Sequence, residues 1–395
     1  MYGKAHGGIF AAMRREIGRI TSNPLFFMLM VVLPLGTVAV FRAMFGDIGV
    51  PRDLPVAVCD QDHSSLSRNV TRMIDATPSV RVAERVTDPS GGRKLVSEGV
   101  TYALILLPKD LEKKALMHAP VPVVCWYNNQ YMLAGSLINR DVRTAVKTVS
   151  AGLDISFREA RNETREAAID HQEPVVLDTH LQFNPYLNYV YFLESALLPT
   201  MLQLFIIITT VYAVGAELKN GTARKWLASG SGHRRALAGK LLPYSAAFTI
   251  LGIIMNVFLF YWRGVPLRGS GSLIAGATVL LVLASQSVGL LLITITSNLR
   301  LSLSFAAFYT STAFAFVGIT FPRIGMITPA RIWADLLPLT HYLDLFVDQA
   351  LRGAPTRVSF DSLAALALFA AMGVCVAALP RLGRLMKNER YWGRM

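Results

Sequence analysis

The chain has 395 residues, of which 53% are hydrophobic and only 16% charged, and its mean hydropathy is +0.41. Soluble globular chains carry nearer a quarter charged residues, so composition alone excludes an ordinary soluble domain. The net charge is +13, and its position along the chain decides what it means.

Residues 1–23 begin the chain with a basic, amphipathic pattern. Ile9, Phe10, Met13, Ile17 and Ile20 share one helical face, with Arg14, Arg15 and Arg19 largely off it. That pattern fits a helix lying on a membrane surface. An apolar run follows at 24–41, too long for the core of a cleaved signal peptide and without an A-x-A-like site after it, so it reads as an uncleaved anchor. Five more runs follow, at 189–214, 241–262, 271–297, 301–321 and 362–380. A helix needs about 20 apolar residues to cross roughly 30 Å of hydrocarbon. The expected fold is therefore an α-helical polytopic membrane protein with six transmembrane helices and an inserted small α/β extracytoplasmic domain.

The insert lies between the first two spans, at 46–187. Short strands are expected at 54–59, 79–83, 102–107 and 122–127, with helices at 64–76, 89–99 and 109–117, an α/β layer pattern. A long charged helix is expected from 132 to about 168, and a strand-like return at 174–183. Asp60-Gln-Asp62-His63 is open to two readings, a metal site or strand-end acids that cap neighbouring turns, and the second is the plainer one. Cys59 and Cys125 fall on expected strands; a bridge is conceivable, but two buried thiols are preferred, and Cys375 is expected to pack in the last span.

Beyond the insert, the chain divides into a five-helix bundle at 188–380, with a basic loop at 215–240 and an outer re-entrant or surface segment at 322–358, and a basic tail at 381–395. The second run carries one acid, Glu194. A charge in hydrocarbon is costly, which makes Glu194 a candidate for the substrate path, together with Asn256 and Gln286; bonding between helices is the plainer role for most such polar groups.

Six spans put both ends of the chain on one side. The segments on that side carry 16 Lys or Arg against Glu16, Glu217 and Glu389, which equals the charge of the whole chain. By the positive-inside rule both termini and the 215–240 loop are expected to be cytoplasmic. The basic charge thus records topology, and no nucleic acid is expected. Gly239-Lys240 is not a phosphate cradle, because that motif needs Gly at 234 and Ser or Thr at 241, where the chain has Arg234 and Leu241. No H-E-x-x-H, C-x-x-C or G-x-S-x-G is present, and no catalysis, metal or cofactor is expected in this chain. In the basic loop, Trp226 and Leu227 suggest a docking element, because a solvated loop gains nothing by exposing Trp.

The stretch Glu217-Leu-Lys-Asn-Gly221-Thr222-Ala-Arg-Lys-Trp226-Leu227 resembles the E-x-x-x-G-T-x-x-x-L pattern of the permease subunits of ABC transporters of the second membrane type. Resemblance extends to 56–68, 99–108 and 337–353, in the family's order, and specifically to its exporter-like branch with a large outward domain. The family's Pro-Gly pair near the outer end of the second span is absent; the chain has Phe192-Leu-Glu194-Ser-Ala-Leu-Leu-Pro199 there. The resemblance implies that Glu217, Gly221, Thr222, Trp226 and Leu227 dock an ATPase subunit. ATP and Mg would be bound in that partner. It also implies a dimer with a second permease copy or paralogue in a bacterial inner membrane, with a periplasmic adaptor protein as a further partner and membrane lipids around it. The cargo would be an amphiphilic or lipid-like small molecule. The alternative is a membrane-anchored scaffold or receptor that binds without transport; a secondary transporter ranks third, because the middles of the spans carry no ionisable groups.

Overall fold

A computed structural model describes residues 8–47, 49–117, 119–160 and 182–388. The chain forms two compact units, one of residues 50–187 and one of the remainder.

In the 50–187 unit, β1 (Leu54–Asp60), β2 (Val80–Val86), β3 (Ala103–Leu107) and β4 (Val124–Tyr127) form one sheet in the order β2-β1-β3-β4. β1 is parallel to β2 and β3, whereas β4 pairs antiparallel with β3. Parallel neighbours need crossovers, supplied by α3 (Ser65–Asp75) and α4 (Pro89–Ser97); α1 (Ile9–Ser22) and α2 (Pro24–Phe45) belong to the other unit. Alternation along β1 sends Val56 and Val58 to a face covered by Val70 and Ile74 of α3 and by Leu137 and Ile138 of α6 (Met132–Ala160). Ala57 and Cys59 face the other way, toward Leu95 and Val96 of α4. The expected continuation of α6 beyond 160 and the strand at 174–183 lie outside the described residues, apart from 182–183, which form no strand.

The acids after β1 are caps. Asp60 accepts the amides of Asp62 and His63 at 3.0 Å each, and Ser64 caps α3 by accepting the Ser67 amide at 3.1 Å. Asp62 accepts the amides of Leu111 and Glu112, at 3.0 and 3.1 Å, at the start of α5 (Leu111–Leu116). Among the described residues no cluster of His, Cys, Asp and Glu could hold a metal. Register also removes the disulfide: Cys125 pairs with Ile105 and shares its face, whereas Cys59 pairs with Leu106 on the opposite face. Burial raises both thiols, Cys125 to about 11, so neither is a ready thiolate.

In the other unit, α1 (Ile9–Ser22) precedes five helices long and apolar enough to cross a membrane. These are α2 (Pro24–Phe45), α7 (Val190–Lys219), α9 (His233–Trp262), α10 (Gly271–Thr296) and α14 (Thr356–Ala378). Between α7 and α9 lies the short helix α8 (Ala223–Gly230). The run at 301–321 departs from expectation. It forms α11 (Leu299–Phe316), which stops at Phe316 and is diluted by Ser302, Ser304, Thr310, Ser311 and Thr312. Its length of about 27 Å is just under the hydrocarbon thickness. The hydroxyls bond back to carbonyls of the preceding turn, as Thr310 does to Ala306 at 2.7 Å, so the helix remains compatible with an apolar setting.

The most enclosed helices are α7 and α10, with 72% and 67% of their apolar windows buried, against 22% for α2 and 11% for α14. The second span begins with a wide π turn, Val190–Glu194, and carries Pro199, which removes one backbone bond. The segment at 322–358 folds as α12 (Thr328–Asp335) and α13 (Pro338–Phe346), the latter burying Leu339, Tyr342, Leu343 and Phe346. Cys375 is exposed on α14 rather than packed. A final helix, α15 (Pro380–Lys387), buries Leu382, Leu385 and Met386 and exposes Arg381, Arg384 and Lys387; the tail from 389 lies outside the described residues.

Candidate functional site

The basic loop is built on the end of α7. Gly221 has φ +66°, a left-handed conformation that any Cβ strains. The amide of Thr222 reaches back to the carbonyl of Glu217 at 3.0 Å and that of Gly221 to Leu218 at 3.3 Å, the paired bonds of a Schellman cap. The Glu217…Gly221-Thr222 motif is thus a helix stop, and it launches α8 in a fixed direction. The Thr222 hydroxyl also donates to the Glu217 carboxylate.

Glu217 is fully buried, and three cations converge on it. Arg15 donates to Oε1 and Oε2 at 2.7 and 3.1 Å, Arg19 to Oε1 at 2.8 Å, and Lys240 to Oε1 at 3.0 Å. Lys240, itself fully buried near the start of α9, also donates to Glu16 at 2.6 Å, and Tyr244 donates to the other Glu16 oxygen at 2.7 Å. Two carboxylates and three cations from α1, α7 and α9 therefore share one knot. Gly239 is what lets α1 approach: a Cβ there would lie 2.5 Å from the Ile9 carbonyl oxygen.

The knot extends into α8. The Lys240 ammonium sits 5.0 Å from the centre of the Trp226 ring. The Trp226 indole donates to the Ala236 carbonyl at 2.9 Å, and the Gly8 amide donates to the Ser229 carbonyl at 3.0 Å. Trp226 is 1% exposed. Trp226 is thus not displayed to solvent, and Glu217 is not either. Both hold the loop, whereas Leu227 and Thr222 are half-buried and Gly221 is exposed. At the end of α7 and along α8 the exposed residues are Lys219, Asn220, Gly221, Arg224, Lys225 and Ala228, of which sequence reasoning singles out only Gly221 for docking. On α1, Phe10 and Ile17 of the apolar face are exposed, while the opposite face, with Glu16, is sealed against the protein.

The substrate-path candidates are scattered. Glu194 is fully buried at the other end of α7 and accepts Nε of Arg263 at 2.9 Å. The Arg263 Nη2 lies 2.8 Å from the same oxygen but off the hydrogen-bond direction, and Glu194 Oε1 has no partner among the described residues. Asn256 donates to Thr278 at 2.9 Å and exchanges 3.2 Å contacts with Tyr342, which ties α13 to α9 and α10. Gln286 accepts the Ser245 hydroxyl at 2.7 Å. Each is engaged in holding helices together. The sequence offers a weak signal for the knot: Lys240 stands at the edge of an apolar run, where an unpaired charge is costly.

A family model described as ABC-2 family transporter protein matches residues 24–379. Among curated proteins, the chain is similar to the probable multidrug ABC transporter permease YbhS of Escherichia coli strain K12 and to its counterpart in strain O157:H7. Each is 24% identical over 296 residues, covering 72% of this chain and 72% of the relative. No solved structure gives a significant match.

Proposed function

The chain belongs to the ABC-2 transporter family as a multi-pass membrane permease, and from that premise we propose that it is the membrane-spanning half of an ATP-driven exporter whose ATPase subunit docks on loop 215–240. ATP and Mg are bound and turned over in that partner. Two permease copies, or this chain and a paralogue, enclose the path; the sparsely buried α2 and α14 leave faces for lipid or a second copy. With six spans, α11 being the fifth, both termini and α8 lie in the cytoplasm. The 50–187 unit then stands outside, where an adaptor protein is reachable. The cargo is an amphiphilic or lipid-like small molecule, in keeping with the multidrug wording of the relatives' name.

The observation that carries this reading is the fixing of α8 on three sides. It is tied to α7 through Thr222 and Glu217, to α9 through Trp226 and Ala236, and to α1 through Ser229 and Gly8. A push on α8 is therefore delivered to two spans together rather than absorbed by a loose loop. Work is transmitted only if the ATPase grips α8 differently with and without ATP. The basic outward surface at Lys219, Arg224 and Lys225 calls for an acidic cleft on the partner.

The test is gentle affinity purification from the native membrane, with mass spectrometry of what stays bound. A stoichiometric subunit carrying a P-loop is expected, and Lys225→Glu and Gly221→Pro should release it while the permease remains in the membrane. Recovery of the chain without any ATPase across several mild detergents would sink the docking reading and favour a scaffold or receptor.

A further inference from the structure

An open groove of about 490 Å³ runs along α9, α10 and α14, lined by Leu237, Leu241, Leu283, Leu290, Val374 and Ala377. A polar rung, Ser245 bonded to Gln286, closes one end. At its other end it shares Arg234 and Ala378 with a second cleft of about 660 Å³, formed where α9 begins and α14 gives way to α15. This mouth is lined by His233, Arg234, Arg384 and Lys387, and no acidic residue lines either part among the described residues.

We propose that this continuous groove binds one anionic phospholipid from the leaflet in which α9 begins, with the headgroup in the basic mouth and an acyl chain along the apolar channel. Length argues for it. From Arg234 to Ser245 a helix rises about 16 Å, close to half of a hydrocarbon core of roughly 30 Å. The channel thus spans one leaflet and ends at the polar rung. The channel opens sideways, since Leu242 is 47% and Val374 74% exposed. Entry is therefore from the hydrocarbon rather than from water.

Charge selects the headgroup. Among the described residues none of the three mouth cations, Arg234, Arg384 and Lys387, pairs with an acid, and Arg384 makes only a 3.4 Å contact with the Pro380 carbonyl. The neighbouring Arg381 is spent on the Ile295 carbonyl at 2.7 Å, which fixes α15 beside the mouth. The proposal stands apart from the transport reading: it needs only that the chain crosses a membrane.

The experiment is native mass spectrometry of the full chain in detergent, titrated separately with dioleoyl phosphatidylglycerol, dioleoyl phosphatidylcholine and glycerol phosphate. Phosphatidylglycerol should bind at least ~10-fold tighter than phosphatidylcholine, since near-surface cations each contribute about fivefold toward anionic lipid. Arg234→Ala with Arg384→Ala should weaken it roughly 25-fold by the same scale, and Arg234→Lys with Arg384→Lys should restore most of that. Ala378→Trp, which blocks the junction of the two clefts, should weaken both lipids. Equal affinity for the two lipids, or an unchanged Ala pair, would overturn the proposal. Glycerol phosphate binding as tightly as the lipid would make the mouth a free phosphate site instead. If Ala378→Trp abolished self-association and left lipid binding intact, the groove would be an interface between copies.

Discussion

One helix carries two buried carboxylates under opposite regimes. At one end of α7, Glu217 is surrounded by Arg15, Arg19, Lys240 and Thr222, drawn from α1, from α9 and from the turn before α8. At the other end, Glu194 has Arg263 alone and keeps an oxygen without a partner among the described residues. Desolvating a charge costs several kcal/mol and is recovered only when its hydrogen-bonding capacity is filled. The Glu217 end is therefore a redundant knot that fixes α1, α7, α8 and α9 relative to one another. The Glu194 end is a single strut with slack, closer to the structure that can be rearranged. If an ATPase pushes on α8, as proposed, that asymmetry puts rigidity at α8 and compliance at the far end.

The largest effect should come from the cation shared by both carboxylates of the knot. Lys240→Met leaves Glu16 with Tyr244 and a 3.8 Å approach of Arg19. Loss of one partner of a buried pair costs about 3–5 kcal/mol, read as a fall in the thermal midpoint of the purified chain. A midpoint within about a degree of wild type would mean the knot contributes no rigidity. Next comes the strut. Arg263→Met should cost about 3 kcal/mol by stranding Glu194, and the double variant Glu194→Gln, Arg263→Met should cost at least ~1 kcal/mol less than Arg263→Met alone, because an imperfectly paired charge is no better than a neutral site. Additive losses in that cycle would erase the contrast between the two ends.

A smaller effect isolates the tie from α8 to α9. Trp226→Phe keeps most of the packed volume but loses the bond to Ala236, at about 1 kcal/mol. If the proposed export falls further than stability in this variant, force transmission runs through that bond. The smallest effect lies in the 50–187 unit and serves as a control. Partial burial pulls the Asp62 pKa up, but bonds from Ser64 and from the Glu112 and Leu111 amides outweigh it and leave it below the ordinary value. A depressed carboxylate stabilises above its unfolded pKa of about 3.9 and loses that contribution as pH falls through the folded value. Asp62→Asn should therefore lower stability slightly near neutral pH and flatten its decline in acid. An unaltered acid profile would show that the Asp62 cap carries no pH-dependent stability.

Much of this architecture is legible from local pattern. Apolar runs mark the helices of the bundle because hydrocarbon demands length, and the short unbroken apolar runs at 54–59 and 102–107 mark strands buried on both faces. The run at 301–321 is overextended as a helix, since hydropathy continues through Val317 and Ile319 while the backbone turns at Gly318, whose φ is +91°. Gly221 and Thr222 are legible through a motif whose physical content is a helix stop. The roles of Trp226 and Glu217 are not, because a Trp beside basic residues looks exposed until the helices that cover it are in place.

What the sequence determined by itself is whatever depends on neighbours along the chain: where helices and strands lie, how the charge is distributed among the segments between apolar runs, and which catalytic motifs are absent. Only the tertiary structure decided the partners of Glu217, Glu194 and Lys240. Arg15 and Glu217 stand 202 positions apart, and Arg263 and Glu194 stand 69 apart. Which of many basic residues meets a buried acid depends on the rotation of each helix about its axis. In α7 and α10, apolar residues surround the helix on every side, so no amphipathic stripe records that rotation. Packing alone sets it, through close approaches such as that of α1 against Gly239.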